Sequence, residues 1–193
     1  MSSVNQDGPI TNEGLLHAAL FVCRGFATSL EVFLHRGFGN RYLGLQAAAV
    51  LVLVPLFGCA WEGHDLTALL LFLPAYLLMC LAARGDTLRR RRRGEYCHSL
   101  YSGWPRLLKP GARLTELGCK QFCEPLLAFA AGFVLHELNE RPLGGYLMFS
   151  AVCLAISTNV DVALDRLRAE NMNDAVIEQE LLAERFRRMR GER

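Results

Sequence analysis

Apolar residues along this chain cluster into runs of membrane-crossing length, broken by short polar turns. Tyr42–Trp61 is apolar apart from Gln46, with an aromatic residue at each end, and Leu66–Ala83 is equally clean. A helix needs about 20 such residues to cross the hydrocarbon of a bilayer, and Tyr and Trp favour its two interfaces. Only Glu62, Gly63, His64 and Asp65 separate these runs. The two therefore predict a tight antiparallel hairpin. A second hairpin is predicted from Phe122–Leu138 and Leu143–Val160. The first of these carries Glu124, His136 and Glu137, so only Pro125–Leu135 is uninterrupted. Pro125 suits a first helical turn, and the Glu124 carboxylate suits the positive end of the helix dipole.

Two amphipathic segments flank these spans. In residues 13–34, Leu15, Leu16, Ala19, Val22, Phe26, Leu30, Phe33 and Leu34 recur at helical spacing. His17, Arg24, Thr28, Glu31 and His35 fall largely on the other side. This predicts a helix lying in the membrane interface or packed on the chain's own loops. From Asp161 to Arg190 no Pro or Gly interrupts a sequence of helix formers. Acids lead (Asp161, Asp165, Glu170, Asp174, Glu178, Glu180) and arginines follow (Arg185, Arg187, Arg188, Arg190), an order that suits the dipole. Leu164, Leu167, Met172, Val176, Ile177, Leu181, Leu182, Phe186 and Met189 give it a broad apolar stripe. Ala175, Gln179, Leu182, Phe186 and Met189 form a short, imperfect heptad seam.

The expected fold is therefore an all-α integral membrane protein. It is a four-helix transmembrane bundle with an N-terminal amphipathic helix and a long cytoplasmic C-terminal helix. Its parts are residues 1–41, the hairpin 42–83, a basic loop 84–121, the hairpin 122–160 and the helix 161–193.

Charge sets the expected orientation. Arg84–Arg113 holds nine basic residues against Asp86 and Glu95, and His35, Arg36 and Arg41 precede the first span. Glu62 and Asp65 occupy the first short turn, and Glu137, Glu140 and Arg141 the second. Basic loops stay in the cytoplasm, which predicts four crossings with both ends inside. A two-span protein with residues 122–160 re-entrant is the alternative. The general look is that of a small polytopic protein of a bacterial inner (cytoplasmic) membrane.

Composition agrees: the 193 residues are 52% hydrophobic, with a mean hydropathy of +0.20. Seven cysteines scattered through apolar runs do not make a disulfide framework. Met1–Gly14 lacks the basic start of a signal peptide.

Arg89, Arg90, Arg91, Arg92 and Arg93 are the loudest local signal. Beside a span they fix topology and attract anionic lipid headgroups, each contributing on the order of 1 kcal/mol. Tyr96, Tyr101 and Trp104 lie nearby, but the additional basic faces of a nucleic-acid binder are missing. Trp104 and Tyr101, in an aromatic turn, suit either the membrane surface or a protein partner. Ile177, Leu181 and Phe186 are the candidate partner contacts of the C-terminal helix. Partner proteins, or further copies of the chain, are the expected occupants.

Glu124 is the candidate intramembrane carboxylate, for proton or cation transfer or simply for starting a helix. Cys97-His98 with Cys119 and Cys123 offers four zinc-type donors at poor spacing, so no metal is expected. His136-Glu137-Leu138-Asn139-Glu140 lacks the second histidine of a metalloprotease helix, and no phosphate loop, nucleophile elbow or dinucleotide fingerprint occurs. No cofactor is expected. Pro55 and Pro74 could open a cavity between bent helices, or simply be tolerated. Gly44-x-x-x-Ala48, Ala128-x-x-x-Gly132 and Ala151-x-x-x-Ala155 mark expected close helix contacts. The preferred function is a non-catalytic membrane subunit or scaffold docking partners through its loop and C-terminal helix. A small oligomeric transporter or channel component is second, and an interfacial enzyme using Cys97, His98 or Glu124 third.

Overall fold

The structure, a computed structural model, describes residues 10–39, 42–95, 101–108 and 115–191, with side chains from Gly14 onward. The candidate donors Cys97 and His98, with Tyr96 and the basic residues Arg41, Lys109 and Arg113, lie outside the described residues. Five helices of more than ten residues dominate: α1 (Ile10–Leu34), α2 (Leu45–Gly58), α3 (Thr67–Arg92), α5 (Glu124–Glu137) and α6 (Arg141–Met189). A short α4 (Glu116–Gly118) and a π-helical turn (Cys119–Cys123) run without a break into α5. β1 (His35–Arg36) and β2 (Trp104–Pro105) pair antiparallel, with His35 opposite Pro105 and Arg36 opposite Trp104. The chain divides into two compact units, Met1–Ser157 and Thr158–Arg193.

The all-α class holds. Three helices are long and apolar enough to cross a membrane: α1 over Gly14–Leu34, α3 and α6. α2 and α5 have 14 residues each, about 21 Å of helix, short of the roughly 30 Å hydrocarbon core. Tyr42–Gly44 forms a turn instead of extending α2, and the turn residues begin again at Cys59.

Of the two places expected for this helix, the interface or the chain's own segments, the later half of α1 shows packing on the chain itself. Every residue of α1 from Gly25 to Val32 is buried, Thr28, Ser29 and Glu31 among them. Its first described turns remain open, with Leu15 and Leu16 exposed. An apolar stripe beside a polar one reads the same in sequence whether the polar side meets water or other buried polar groups. Here it meets buried polar groups.

Aromatic packing fills the unit. Phe26 of α1 packs edge-on to Phe57 of α2 and Phe149 of α6, with ring centroids 6.3 and 5.0 Å apart. Tyr146 sits 5.4 Å from both Phe57 and Phe72. α5 and α6 approach backbone to backbone: a Cβ on Gly132 would stand 2.9 Å from the Gly144 carbonyl oxygen, and one on Gly144 2.6 Å from that of Gly132. Ala128 and Ala151 extend this contact onto Ala27 and Leu30 of α1. Small residues at such contacts let membrane helices gain dispersion and backbone contacts.

Both short turns lie at one end, where the Trp61 ring rests on Gly145, whose Cβ would be 2.7 Å from Cζ2. The opposite end gathers the close of α1, the start of α2, the close of α3 and the start of α5. There Arg84 donates to the Leu43 carbonyl, Arg90 lies against Gly37 and Arg106 Nε donates to the His35 carbonyl at 2.9 Å. The helices continue through Pro55 and Pro74.

Candidate functional site: a buried histidine–glutamate pair

The densest polar arrangement lies at the arginine-bearing end. Three segments deliver it. α1 ends at Leu34 and hands His35 to the β1–β2 pairing. Gly103, with φ of +94°, turns the loop so closely over β1 that a Cβ there would meet the Arg36 carbonyl oxygen and the His35 Cβ, both at 3.0 Å. This is a conformation glycine reaches without strain. The third segment begins with Thr115, whose hydroxyl accepts from Gly118 N at 3.1 Å and caps α4. The π turn that follows inserts extra backbone before α5, a feature frequent at functional positions. Glu124 then falls inward.

His35 Nε2 stands 2.6 Å from Glu124 Oε2, with side-chain exposures of 2% and 0%. His35 Nδ1 donates to the Ser102 carbonyl at 2.8 Å. A carbonyl only accepts, so Nδ1 carries a hydrogen. The short Nε2–Oε2 contact needs one more hydrogen. It belongs either to an imidazolium facing a carboxylate or to a carboxylic acid facing a neutral imidazole. In both cases the pair and its hydrogen are neutral, which is the form a buried site tolerates best. Glu124 Oε1 is buried with no hydrogen-bond partner among the described residues.

A second layer fixes the loop. Lys120 Nζ donates to Ser102 Oγ at 3.2 Å and to Glu116 Oε1 at 2.7 Å. Tyr101 donates its hydroxyl to the same Glu116 oxygen at 2.9 Å, and Lys120 stands over the Tyr101 ring at 5.0 Å. Burial pushes the Glu116 carboxyl up, but hydrogen bonds from Lys120 and Tyr101 and the Lys120 charge outweigh it and hold it below its ordinary value. Burial, then the Glu124 charge, push the Cys119 thiol up, which makes it a poor nucleophile or metal ligand.

Further polar groups continue along α1. Arg24, Thr28, Glu31 and His35 follow a 4-3-4 step that places them on one face. Tyr42 donates to Glu31 at 2.5 Å, and Thr28 to the Arg24 carbonyl at 2.7 Å. On α6 the Tyr146 and Ser150 hydroxyls are buried without hydrogen-bond partners among the described residues, and Ser29 and Ser150 lie beside the Tyr146 hydroxyl.

The residues singled out from the sequence fall in three places. Glu124 and Tyr101 belong to this network. Trp104 is exposed on β2 opposite Arg36, another exposed residue. Arg89, Arg91, Arg92 and Arg93 are exposed at the end of α3, Arg89 only 3.8 Å from Asp86, while Arg90 is half-buried on Gly37. Ile177, Leu181 and Phe186 are exposed on the C-terminal helix. Sequence reasoning missed His35, Ser102 and Lys120 as parts of one site. The available signal was the 4-3-4 polar spacing within an otherwise apolar α1. Among the described residues no three His, Cys, Asp or Glu side chains gather as a metal site.

Compared with protein-family models, with curated proteins and with solved structures, the chain finds no match.

Proposed function

We propose that this protein is a non-catalytic, multi-pass subunit of the bacterial inner membrane that docks partner proteins through its C-terminal helix and cytoplasmic loop. One observation carries the reading. Within the unit Thr158–Arg193, α6 runs on to Met189, and its apolar side chains there, Met172, Ile177, Leu181, Phe186 and Met189 among them, are exposed. A helix beyond a span that shows apolar side chains next to segregated acids and arginines has the chemistry of a groove-binding or coiled partner. Anionic headgroups suit Arg89–Arg93, and Trp104 beside Arg36 suits the same interface.

Purification from the native membrane in mild detergent, with mass spectrometry of whatever stays bound, tests this. A reproducible partner set lost on deletion of residues 165–193 is the expected result. Recovery of the chain alone from both forms would overturn it.

The proposed orientation places the arginine-bearing end in the cytoplasm. α1 finishes at that end, so a crossing α1 starts on the opposite face. The start of α1 would then lie on the outer side, in contrast to the orientation that loop charges alone suggest. A reporter fused ahead of Met1 distinguishes the two.

A second reading, a small oligomeric transporter or channel component, is favoured by the buried polar face of α1. Ionisable groups inside a membrane bundle mark ion or proton pathways by default. Flux into liposomes holding the purified chain tests it.

A further inference from the structure

We propose that His35 and Glu124 form a proton-binding site inside the bundle, with Glu124 Oε1 as the atom that takes an incoming proton. The proposal deepens the second reading above and rests on that reading's placement of the bundle in a membrane.

The hydrogen count carries it. Oε2 and Nε2 already share one hydrogen across 2.6 Å, and Nδ1 is committed to the Ser102 carbonyl. A further proton cannot enter either contact. Oε1 is the vacant acceptor of the pair, buried and without a partner among the described residues. Protonation there gives an imidazolium beside a carboxylic acid, and the site passes from neutral to singly positive. Release restores the shared hydrogen, so a single proton is gained and lost with no other co-reactant. A metal cation is the poorer occupant. It needs several donors at once, and no three His, Cys, Asp or Glu side chains gather among the described residues. A proton needs one.

The surroundings set what the added charge meets. From α1, Glu31 lies one turn before His35 and is engaged by Tyr42. From the loop, Arg106 holds the His35 backbone carbonyl and Tyr101 faces Glu116. From the π turn come Lys120, paired with Glu116, and Cys119, within electrostatic reach of Glu124 and Cys123. The nearest acids are thus already engaged by hydrogen-bond donors, and Glu124 keeps the vacant oxygen.

The test is an infrared difference titration of the full chain in phospholipid vesicles, in water and in deuterium oxide. It runs from about pH 4.5 to about pH 9, bracketing ordinary carboxyl and imidazole titrations. A carboxylic-acid carbonyl band that changes toward low pH, by growth from an imidazolium–carboxylate pair or by displacement from an acid–imidazole pair, shifts in deuterium oxide and disappears in Glu124→Gln is expected. Exchange of sodium for potassium should leave it unmoved. Glu124→Asp, which keeps an acid on a shorter stem, should retain the band at a displaced position and serves if Glu124→Gln does not fold. A spectrum with no such band, or one that persists unchanged in Glu124→Gln, would overturn the proposal. A band that follows the salt and not the pH would overturn it in favour of a bound cation. Flux is read separately: a titrating band without flux keeps the proton site and removes the transporter reading.

Discussion

His35 and Glu124 are 89 positions apart in sequence, yet their side chains meet at 2.6 Å, both closed off from solvent. Removing one partner leaves the other buried without its hydrogen bond, a loss of about 3–5 kcal/mol for such pairs. Glu124→Ala and His35→Ala should each lower stability by an amount of that order. The double variant should lose markedly less than the two together. Thermal unfolding of all four forms in the same detergent provides the comparison, and strict additivity would show that the contact contributes nothing specific.

The glycine contact between α5 and α6 predicts a position-specific failure. Gly132→Val forces a side chain into the backbone of Gly144 and Met148, and overpacking of this kind costs about 1–3 kcal/mol. Gly85→Ala, where nothing lies within 4 Å, should be neutral or slightly stabilising, since alanine favours helix. Retained monodisperse protein after heating ranks the two.

Glu116 predicts a pH effect with a definite sign. Its carboxyl is held below its ordinary value in the folded chain. The stability it contributes is therefore complete above the ordinary carboxylate range and is lost as pH falls through the lowered folded value. Lys120→Met removes the main partner and should flatten this part of the curve. Unfolding midpoints measured against pH for both forms reveal the difference.

The C-terminal helix predicts a separable effect. Phe186→Glu and Leu181→Glu alter exposed positions, so the membrane unit should fold and insert as before. Co-purifying partners should fall severalfold. Unchanged recovery of partners would place docking elsewhere on the chain.

The helical class, the apolar spans α3 and the first part of α6, and the long C-terminal helix were legible because each depends on local composition and period. Ala128, Gly132 and Ala151 were also legible, since small residues at helical spacing announce close contacts. Gly144 was not, because its only cue is the opposing glycine. For α1 the sequence left two places open, the membrane interface or the chain's own loops, and did not show that Glu31 and His35 find partners in Tyr42 and Glu124. Those partners come from other segments, and nothing local to residues 24–35 names them. Glu124 was visible as a carboxylate in an apolar run, but its pairing was not. Lys120, the nearer candidate in sequence, is taken by Glu116.

The pairing of β1 with β2 also has a meaning in time. His35 leaves the ribosome early, whereas Trp104, Pro105 and Glu124 arrive only after α2 and α3 have been made. Closing so long a loop adds little entropy beyond a shorter one, but it cannot happen before the later segment exists. Until then His35, just after α1, has neither Glu124 nor the Ser102 carbonyl in place, a state ill suited to hydrocarbon. The β1–β2 pairing can therefore form only after α2 and α3 have been made. A chain arrested before residue 124 should leave α1 unsettled and open to membrane proteases, while one released beyond it should be protected.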